Sequence, residues 1–255
     1  MDAWKYESTA QREQRHFDET WNNTPLRRIH AMLSVPGVAD LNCKRVLICS
    51  CGSGLEPVMA ANGGAEVYAV DISPVAVRNA IRMAEFNNAR IQAAVMDLHS
   101  LGFPDEQFDL IYGSAVLHHL DCKRAGAEFY RCLKPGGIAF FRGETSDRNP
   151  ILSFFYRKMS RQGRDGHWKR FLVFQRRGTQ DERMLSSADL EILSRQFSGR
   201  IRVSVDHFMF FQKASHVMRN RLLSATALAD QLVSLFFPFL KQYSYEQDVW
   251  LQKST

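Results

Sequence analysis

Asp71, Asp97 and the adjacent residues His118 and His119 each come soon after an apolar run that contains β-branched residues. A carboxylate accepts hydrogen bonds from hydroxyl or amino groups, and an imidazole can take up a proton near neutral pH. We therefore expect the acids to bind a polar ligand and one histidine to serve as a general base. Asp71 could instead cap the helix that follows, although Ser73 is better suited to that task. A histidine that bonds a loop carbonyl explains each of the two rings equally well.

A glycine-rich turn precedes Asp71 in the chain. Val46–Leu55 reads VLICSCGSGL, an apolar run followed by Gly52 and Gly54. Glycines in a strand-to-helix turn let the backbone approach a ligand closely, and the amides beyond them favour an anionic group. Asp71 lies 19 positions after Gly52 (71 − 52), a spacing at which an acid can accept hydrogen bonds from both hydroxyls of a ribose. Simple packing would also explain such a turn taken alone.

Alternating strands and helices are predicted between Lys44 and Arg142. The predicted strands are Arg45–Ser50, Glu66–Val70, Ile91–Met96, Asp109–Gly113 and Gly137–Arg142. The predicted helices are Glu56–Asn62, Pro74–Asn87 and Lys123–Leu133. Short apolar strands separated by helices indicate a doubly wound α/β fold with a parallel sheet covered on both faces. Open sheets of this type bind ligands at the carboxyl ends of their strands, so we expect Asp71, Asp97 and Glu144 to project over one crevice.

The segments that flank this core are expected to close over the crevice. Trp4–Leu33 has helical spacing of apolar residues and is predicted as two helices that break at Pro25, with Thr24 as a cap. Packing against the flank of the core would explain these helices equally well. After Arg142 we predict an insertion, a helix capped by Ser186 or Ser187, a strand, a further helix and a final strand. These elements are Asn149–Arg177, Ala188–Phe197, Arg200–Phe211, Ala214–Phe237 and Tyr245–Leu251.

We therefore predict a single domain over residues 1–255. An N-terminal helical lid (1–40) precedes the ligand-binding core (44–144). Insertions that form a substrate cap occupy residues 145–243 around the sixth strand, and the final strand covers residues 245–252.

Composition excludes several classes of protein. A chain of 255 residues with 45% hydrophobic and 24% charged residues can bury a substantial core. Residues 1–23 are too polar for a secretory signal, and no apolar stretch reaches the roughly 20 residues that span a bilayer. Five cysteines, an odd number, indicate reduced thiols and a cytoplasmic location. Cys49 and Cys51 lack a second pair of ligands at zinc-finger spacing, so no metal site is predicted.

The net charge of +6 arises partly from a basic segment at residues 157–177. Nucleic acid, an acidic lipid surface, a phosphorylated substrate or a solvated loop would each explain this segment. The apolar residues 236–239 beside Lys241 are consistent with contact to a membrane surface or with a buried helix end. The oligomeric state is not predicted.

The order of these motifs resembles that of the class I S-adenosylmethionine-dependent methyltransferases, particularly the small-molecule type. The motifs are CGSG, VDIS, MDL, FDLIYGSAVLHHL and LKPGG, in register over Arg45–Arg142. The resemblance implies a Rossmann-like sheet of seven strands whose last strand, Tyr245–Leu251, runs antiparallel. It also implies S-adenosyl-L-methionine as cofactor, with S-adenosyl-L-homocysteine as product.

The resemblance assigns roles to individual residues. The implied cofactor-binding residues are Ser50, Cys51, Gly52, Ser53, Gly54, Asp71, Ile72, Asp97, Leu98 and Ser114. Asp71 would bind the ribose, and Asp97 with Leu98 would bind the adenine. The candidate catalytic residues are His118, His119 and Glu144. Ile48 and Ser50 depart from the family pattern, which has an acid and a glycine there, so Glu56 or a lid residue is expected to hold the methionine ammonium group.

The expected function is methyl transfer by in-line displacement to an oxygen or nitrogen atom of a small, aromatic or lipophilic metabolite. Aromatic faces of Tyr6, Phe17 or Trp21 would stabilise the sulfonium. Nucleic acid is disfavoured as a substrate because no D-P-P-Y or N-P-P-Y sequence follows the fourth strand. Two alternatives remain open. One is another use of the cofactor, such as intramolecular alkyl displacement or cyclisation, and the other is a non-catalytic module that binds the cofactor.

Overall fold

A seven-stranded sheet forms the centre of the computed structural model, which describes residues 8–150, 153, 183–205, 211 and 223–255. The strands are β1 Arg45–Cys49, β2 Glu66–Asp71, β3 Ile91–Val95, β4 Phe108–Ser114, β5 Leu133–Thr145, β6 Ile201–Ser204 and β7 Glu246–Gln252. Their order is β3-β2-β1-β4-β5-β7-β6. The first five pair in parallel, and β7 runs antiparallel to both β5 and β6. The doubly wound fold with an antiparallel last strand is confirmed.

Six α-helices are described, and most of them connect the strands. They are α1 Thr9–Trp21, α2 Leu55–Asn62, α3 Pro74–Phe86, α4 Cys122–Cys132, α5 Ser187–Gln196 and α6 Leu223–Phe236. Two 3-10 turns are also described, Leu117–His119 and Pro238–Tyr243. None of the described helices is both long and apolar enough to span a bilayer.

The sheet separates two apolar layers because successive strand residues point to opposite faces. In β1, Leu47 and Cys49 pack in the layer that contains Phe129 of α4. Val46 and Ile48 pack in the opposite layer, which contains residues of α2 and α3. Both sides of β1 are therefore buried, as its continuous apolar sequence predicts.

The core elements lie close to their predicted bounds, with differences at both ends of the chain. β5 begins at Leu133 rather than Gly137, because Leu133 pairs with Phe108 before a register shift. The predicted strand Arg200–Phe211 is shorter, since β6 ends at Ser204 and residues 206–210 lie outside the described part. Most of the predicted insertion Asn149–Arg177 and the first part of the helix Ala214–Phe237 also lie outside the described residues.

The prediction of a second N-terminal helix is wrong. Residues 24–34 have no regular structure, because side chains from distant helices satisfy their backbone groups. The Asn87 amide accepts from the Ile29 N–H (2.8 Å) and donates to the Arg27 carbonyl (3.0 Å). The Asn62 amide donates to the Ile29 carbonyl (3.0 Å) and also to the Ala31 carbonyl (3.0 Å).

Thr24 closes α1 instead of starting a second helix. Its hydroxyl donates to the Trp21 carbonyl at 3.0 Å, and its backbone N–H donates to the same carbonyl. Because residues 24–34 are not helical, no free helix N–H groups follow Thr24 for its hydroxyl to cap. Residues 24–34 therefore form a non-helical strap that joins α1 to the sheet.

Candidate active site

A cavity of about 490 Å³ lies at the carboxyl ends of β1 to β4, beneath α1. Eight of the ten predicted cofactor-binding residues line it, namely Ser50, Gly52, Ser53, Asp71, Ile72, Asp97, Leu98 and Ser114. They come from four separate connections along the sheet edge. The predicted convergence of the strand ends on one crevice is therefore present in the structure.

Cys51 and Gly54 do not line the cavity. The Cys51 side chain is buried in the core, and this burial raises the pKa of its thiol well above the usual value. Gly54 starts α2 with a left-handed φ of +82°, and a Cβ there would lie 2.7 Å from the Ala80 Cα. These two residues shape the turn from below and allow α2 and α3 to pack closely.

Gly52 brings α1 onto the turn after β1. Its φ is +45°, and an added Cβ would lie 2.9 Å from the Trp21 ring. The absent side chain therefore leaves room for an aromatic ring of α1, in addition to any close approach by a ligand. Trp21 is held there because the Asn79 amide donates to its carbonyl at 2.7 Å.

Ser50 carries backbone strain at the position where the family pattern has glycine. Its φ of +54° lies in the left-handed region, which costs a residue with a Cβ about 1–3 kcal/mol. We expect Ser50→Gly to raise the free energy of unfolding by about 1 kcal/mol, since glycine's greater freedom in the unfolded chain offsets part of the relief. Urea denaturation would measure this change.

The matched control for this substitution is Ser53→Gly. Ser53 lines the same cavity but does not have a positive φ, so glycine there is expected to lower stability by a few tenths of a kcal/mol. A loss of stability in Ser50→Gly would show that the strain is compensated by the serine side chain.

Asp71 joins the turns that follow β1 and β2. Its carboxylate accepts from the Gly52 N–H (3.0 Å) and the Ser73 N–H (2.9 Å), and the residue is only 4% exposed. Burial raises the pKa of this carboxyl group. Ser73, not Asp71, caps α3, because its hydroxyl accepts from the Ala76 N–H. Each Asp71 oxygen can accept a second hydrogen bond, so the carboxylate can take two ligand hydroxyls from the cavity side.

Asp97 is oriented by His99, a residue that the sequence reasoning missed. The Asp97 Oδ1 accepts from the His99 N–H at 2.9 Å and lies 2.7 Å from the His99 Nδ1. The His99 Nε2 accepts from the Asp121 N–H at 2.9 Å. This pattern assigns the ring proton to Nδ1 and leaves Asp97 as the acceptor. The signal in the sequence was a histidine two positions after the acid.

The cavity lining is rich in carboxylates. Glu13, Glu56, Asp71 and Asp97 all line it, whereas Arg124 is the one arginine or lysine among its described lining residues. Glu56 lies in the first turn of α2, and burial raises its pKa despite the opposing charge of Arg27. Such a lining favours a ligand that carries positive charge.

Glu144 does not project over the crevice, so this expectation is wrong. Its side chain is 0% exposed and does not line the cavity. The carboxylate accepts from the backbone N–H groups of Val116 (2.9 Å), Leu117 (3.0 Å) and His118 (3.3 Å). It also lies 2.9 Å from the His118 Nδ1. Glu144 therefore organises the loop after β4 from beneath.

The two histidines occupy different environments. His118 is 4% exposed, does not line the cavity and is bound to Glu144. His119 does line the cavity, and its Nδ1 lies 3.2 Å from the Glu13 Oε2. The Phe17 ring packs edge-on against His119, with ring centroids 5.4 Å apart. Of the three predicted catalytic residues, only His119 can reach a ligand in this cavity.

Helix α1 forms the roof of the cavity. It begins at a capping box between Ser8 and Gln11, and its residues Glu13, Phe17 and Trp21 follow a four-residue period on the cavity side. The carboxylate of Asp18 accepts from the Ser73 hydroxyl (2.5 Å) and the Val75 N–H (3.3 Å). The predicted aromatic residues Phe17 and Trp21 are in place, whereas Tyr6 lies outside the described residues.

Comparison with known proteins matches residues 47–141 to the family model described as "Methyltransferase domain". The 2-methyl-6-phytyl-1,4-hydroquinone methyltransferase of Synechocystis sp. is 31% identical over 139 residues, which are 52% of this chain and 43% of that protein. The chain spans about half the length of the curated relatives that it matches.

Two solved structures show the same fold over nearly the whole chain. The geranyl diphosphate C-methyltransferase of Streptomyces coelicolor has a TM-score of 0.61 at 11% identity and covers 98% of this chain and 99% of its own. The [4+2]-cyclase SpnF has a TM-score of 0.56 at 18% identity and covers 97% of both chains. Residues 47–141 therefore match a methyltransferase-domain model, and the seven-stranded sheet built around them has the fold of these two solved structures.

Proposed function

We propose that this protein binds S-adenosyl-L-methionine and transfers its methyl group to an oxygen or nitrogen atom of a small, aromatic or lipophilic metabolite. The observation that carries the proposal is the convergence of Asp71, Asp97 and the turn around Gly52 on one carboxylate-rich cavity. When bound, the cofactor supplies a methyl group that its sulfonium sulfur has already activated. The tasks left to the chain are to bind, to orient and to exclude water.

The cavity residues fit this cofactor. Asp71 can accept from the two ribose hydroxyls, because both of its oxygens keep acceptor capacity beyond their bonds to backbone amides. Asp97, oriented by His99, can accept from the adenine amino group, beside the apolar surface of Leu98. Four carboxylates suit a ligand that carries a sulfonium and an ammonium group.

Glu56 would hold the methionine ammonium group in place of the acid that the family pattern has at position 48. Ile48 is buried in the apolar layer beneath the sheet and cannot reach the cavity. Glu56 lines the cavity and belongs to the first turn of α2, next to the glycine-rich turn. The Glu56 carboxylate is therefore available to bind the ammonium group, whereas the buried isoleucine is not.

The roof helix would exclude water and face the sulfonium. Phe17 and Trp21 line the cavity and present aromatic surface, which attracts a cation. The remaining apolar lining, from Met96, Val116 and Leu120, suits a lipophilic acceptor. The curated relative is named for a phytyl hydroquinone, and one structural neighbour holds geranyl diphosphate, which supports the same class of acceptor.

Calorimetric titration of the protein with S-adenosylhomocysteine tests the proposal. We expect saturable binding to one site, which Glu56→Gln weakens about tenfold through the loss of a charged hydrogen bond. Binding of methylthioadenosine, which lacks the amino acid end, is expected to be the same in both proteins. Absence of binding by both S-adenosylmethionine and S-adenosylhomocysteine would refute the function.

A second measurement separates methyl transfer from other uses of the cofactor. With cofactor labelled in its methyl group, we expect the label in an organic acceptor and S-adenosylhomocysteine as the other product. Release of methylthioadenosine without labelled acceptor would indicate alkyl displacement or cyclisation. Cofactor binding with no turnover in extracts rich in metabolites would indicate a binding module.

A further inference from the structure

Glu13 and His119 form a carboxylate–imidazole pair at the wall of the cavity. Glu13 belongs to α1 and is 6% exposed, whereas His119 belongs to the loop after β4. The Glu13 Oε2 lies 3.2 Å from the His119 Nδ1, an ion-pair distance at an angle that does not meet hydrogen-bond geometry, and both residues line the cavity. Glu13 is the one buried residue of α1 and lies on the cavity side with Phe17 and Trp21, which indicates a specific partner because burial of a lone carboxylate is costly.

The position of Glu13 bears on which nitrogen of His119 is basic. A carboxylate next to Nδ1 favours the proton on that nitrogen and leaves the lone pair on Nε2. The same carboxylate stabilises the imidazolium that forms when Nε2 takes a second proton. The edge-on Phe17 ring and the neighbouring His118 ring, whose centroid is 4.3 Å away, restrict rotation of the imidazole.

The other acids and imidazoles around His119 have different tasks. His118 and Glu144 bind each other beneath the loop and do not line the cavity. Within the cavity wall, the His99 Nε2 already accepts from the Asp121 N–H, and Asp97 faces His99. Among the described residues of the cavity wall, His119 is therefore the imidazole placed to act as a general base, with Glu13 as its carboxylate partner.

We infer that the Glu13–His119 pair takes the proton of a bound hydroxyl acceptor, a phenol or an alcohol, and thereby selects hydroxyl over amine acceptors. This inference rests on the proposed function and narrows it. The proton passes from the acceptor oxygen to the His119 Nε2 and returns from the imidazolium to solvent after product release. Glu13 is a positioning residue, since it acts through His119.

The pair is complete only when α1 is docked. Asp18 binds the Ser73 hydroxyl and the Val75 N–H, and Asn79 holds the Trp21 carbonyl. These contacts place Glu13 beside His119 at the same time as they roof the cavity. Closure over the ligand and assembly of the base are therefore one event.

The first test reads the imidazole directly. Nitrogen-15 NMR of the protein saturated with S-adenosylhomocysteine is expected to show His119 protonated on Nδ1, with His99 as an internal reference for that tautomer. Glu13→Gln is expected to shift the His119 signals toward protonation on Nε2, whereas Glu19→Gln, an exposed acid on the same helix, changes nothing. An unchanged His119 tautomer in Glu13→Gln would overturn the inference.

The second test uses methyl-labelled cofactor and a panel of simple phenols and primary amines. We expect label on phenols, with kcat reduced on the order of 100-fold or more in His119→Ala and 10-fold in Glu13→Gln, and KM little changed. The reduction in kcat is expected to be smaller for 4-nitrophenol, which is largely ionised at pH 8 and needs no base. Label on amines only, or an equal loss for every phenol, would contradict the inference.

S-adenosylhomocysteine affinity separates this inference from the function on which it rests. Glu13→Gln could bind the product normally and yet show the His119 tautomer and the kcat values for phenols of the wild type. In that case the base assignment fails and the methyltransferase proposal stands. If neither protein binds S-adenosylhomocysteine, the proposed function itself fails.

Discussion

Glu144→Ala is expected to lower the free energy of unfolding by about 3–5 kcal/mol. The substitution removes the acceptor of three backbone N–H groups and of the His118 ring, all of them in a buried loop. Buried donors without a partner cost about 1–3 kcal/mol each, and relaxation of the loop offsets part of their sum. Urea denaturation followed by circular dichroism would measure the loss.

Glu144→Gln is the matched control for this prediction. The glutamine oxygen can still accept from the Val116 and Leu117 amides, but its NH₂ group faces the donors of His118. We therefore expect a smaller loss of stability than in the alanine variant. If Glu144→Ala is as stable as the wild type but has lost its activity, the result would support the catalytic role that the sequence predicts for Glu144.

Asp71→Ala is expected to weaken S-adenosylhomocysteine binding by roughly 10- to 100-fold, the equivalent of about 1–3 kcal/mol. The substitution removes the acceptor of the ribose hydroxyls and releases the Gly52 and Ser73 amides that fix both turns. Calorimetric titration would measure the change. Affinity equal to that of the wild type in a folded variant would contradict the ribose assignment.

The pH dependence of binding gives an independent measure of Asp71. Burial raises the pKa of its carboxyl group, and the ionised form is the one that accepts two hydroxyl bonds. Affinity is therefore expected to be constant above the raised pKa and to fall as the pH drops through it. In Asp71→Ala, the decrease in affinity that comes from protonation of this carboxylate is expected to be absent. Ser73→Ala, which removes the α3 cap but keeps the carboxylate, is expected to lose stability while retaining this pH dependence.

The positions of Asp71 and Asp97 were predictable because they depend on local pattern and one topological rule. Apolar runs located the strands, and the carboxyl ends of parallel strands must share an edge. The turn around Gly52 was predictable for the same reason. The packing of the Trp21 ring against Gly52 could not be predicted, because that contact joins segments about 30 residues apart in the chain.

The direction of Glu144 could not be predicted because it depends on a bulge. The pairing of β5 with β7 shifts between Phe141 and Glu144, and Gly143 there has a φ of +66°. One extra residue in a strand exchanges the two faces for every side chain that follows. The sequence predicted a strand that ends at Arg142 with Glu144 just past it, whereas β5 continues through this bulge to Thr145.

Long-range side-chain contacts account for the other errors. The absence of a helix after Pro25 follows from amides of Asn62 and Asn87, which no local propensity includes. Glu13 was missed because its significance comes from His119, which lies in another part of the fold. In each case the deciding partner is distant in sequence.

The order in which the chain is synthesised gives α1 a particular folding history. Glu13 precedes His119 by 106 positions (119 − 13), so at 5–20 residues per second the ribosome completes the partner roughly 5–20 s later. A helix of 13 residues is marginal in isolation, so α1 gains its stability only when the sheet is present. Its docking is therefore a late step, and α1 can undock while the sheet stays folded. Amide hydrogen exchange is therefore expected to be faster in α1 than in β1 and β4.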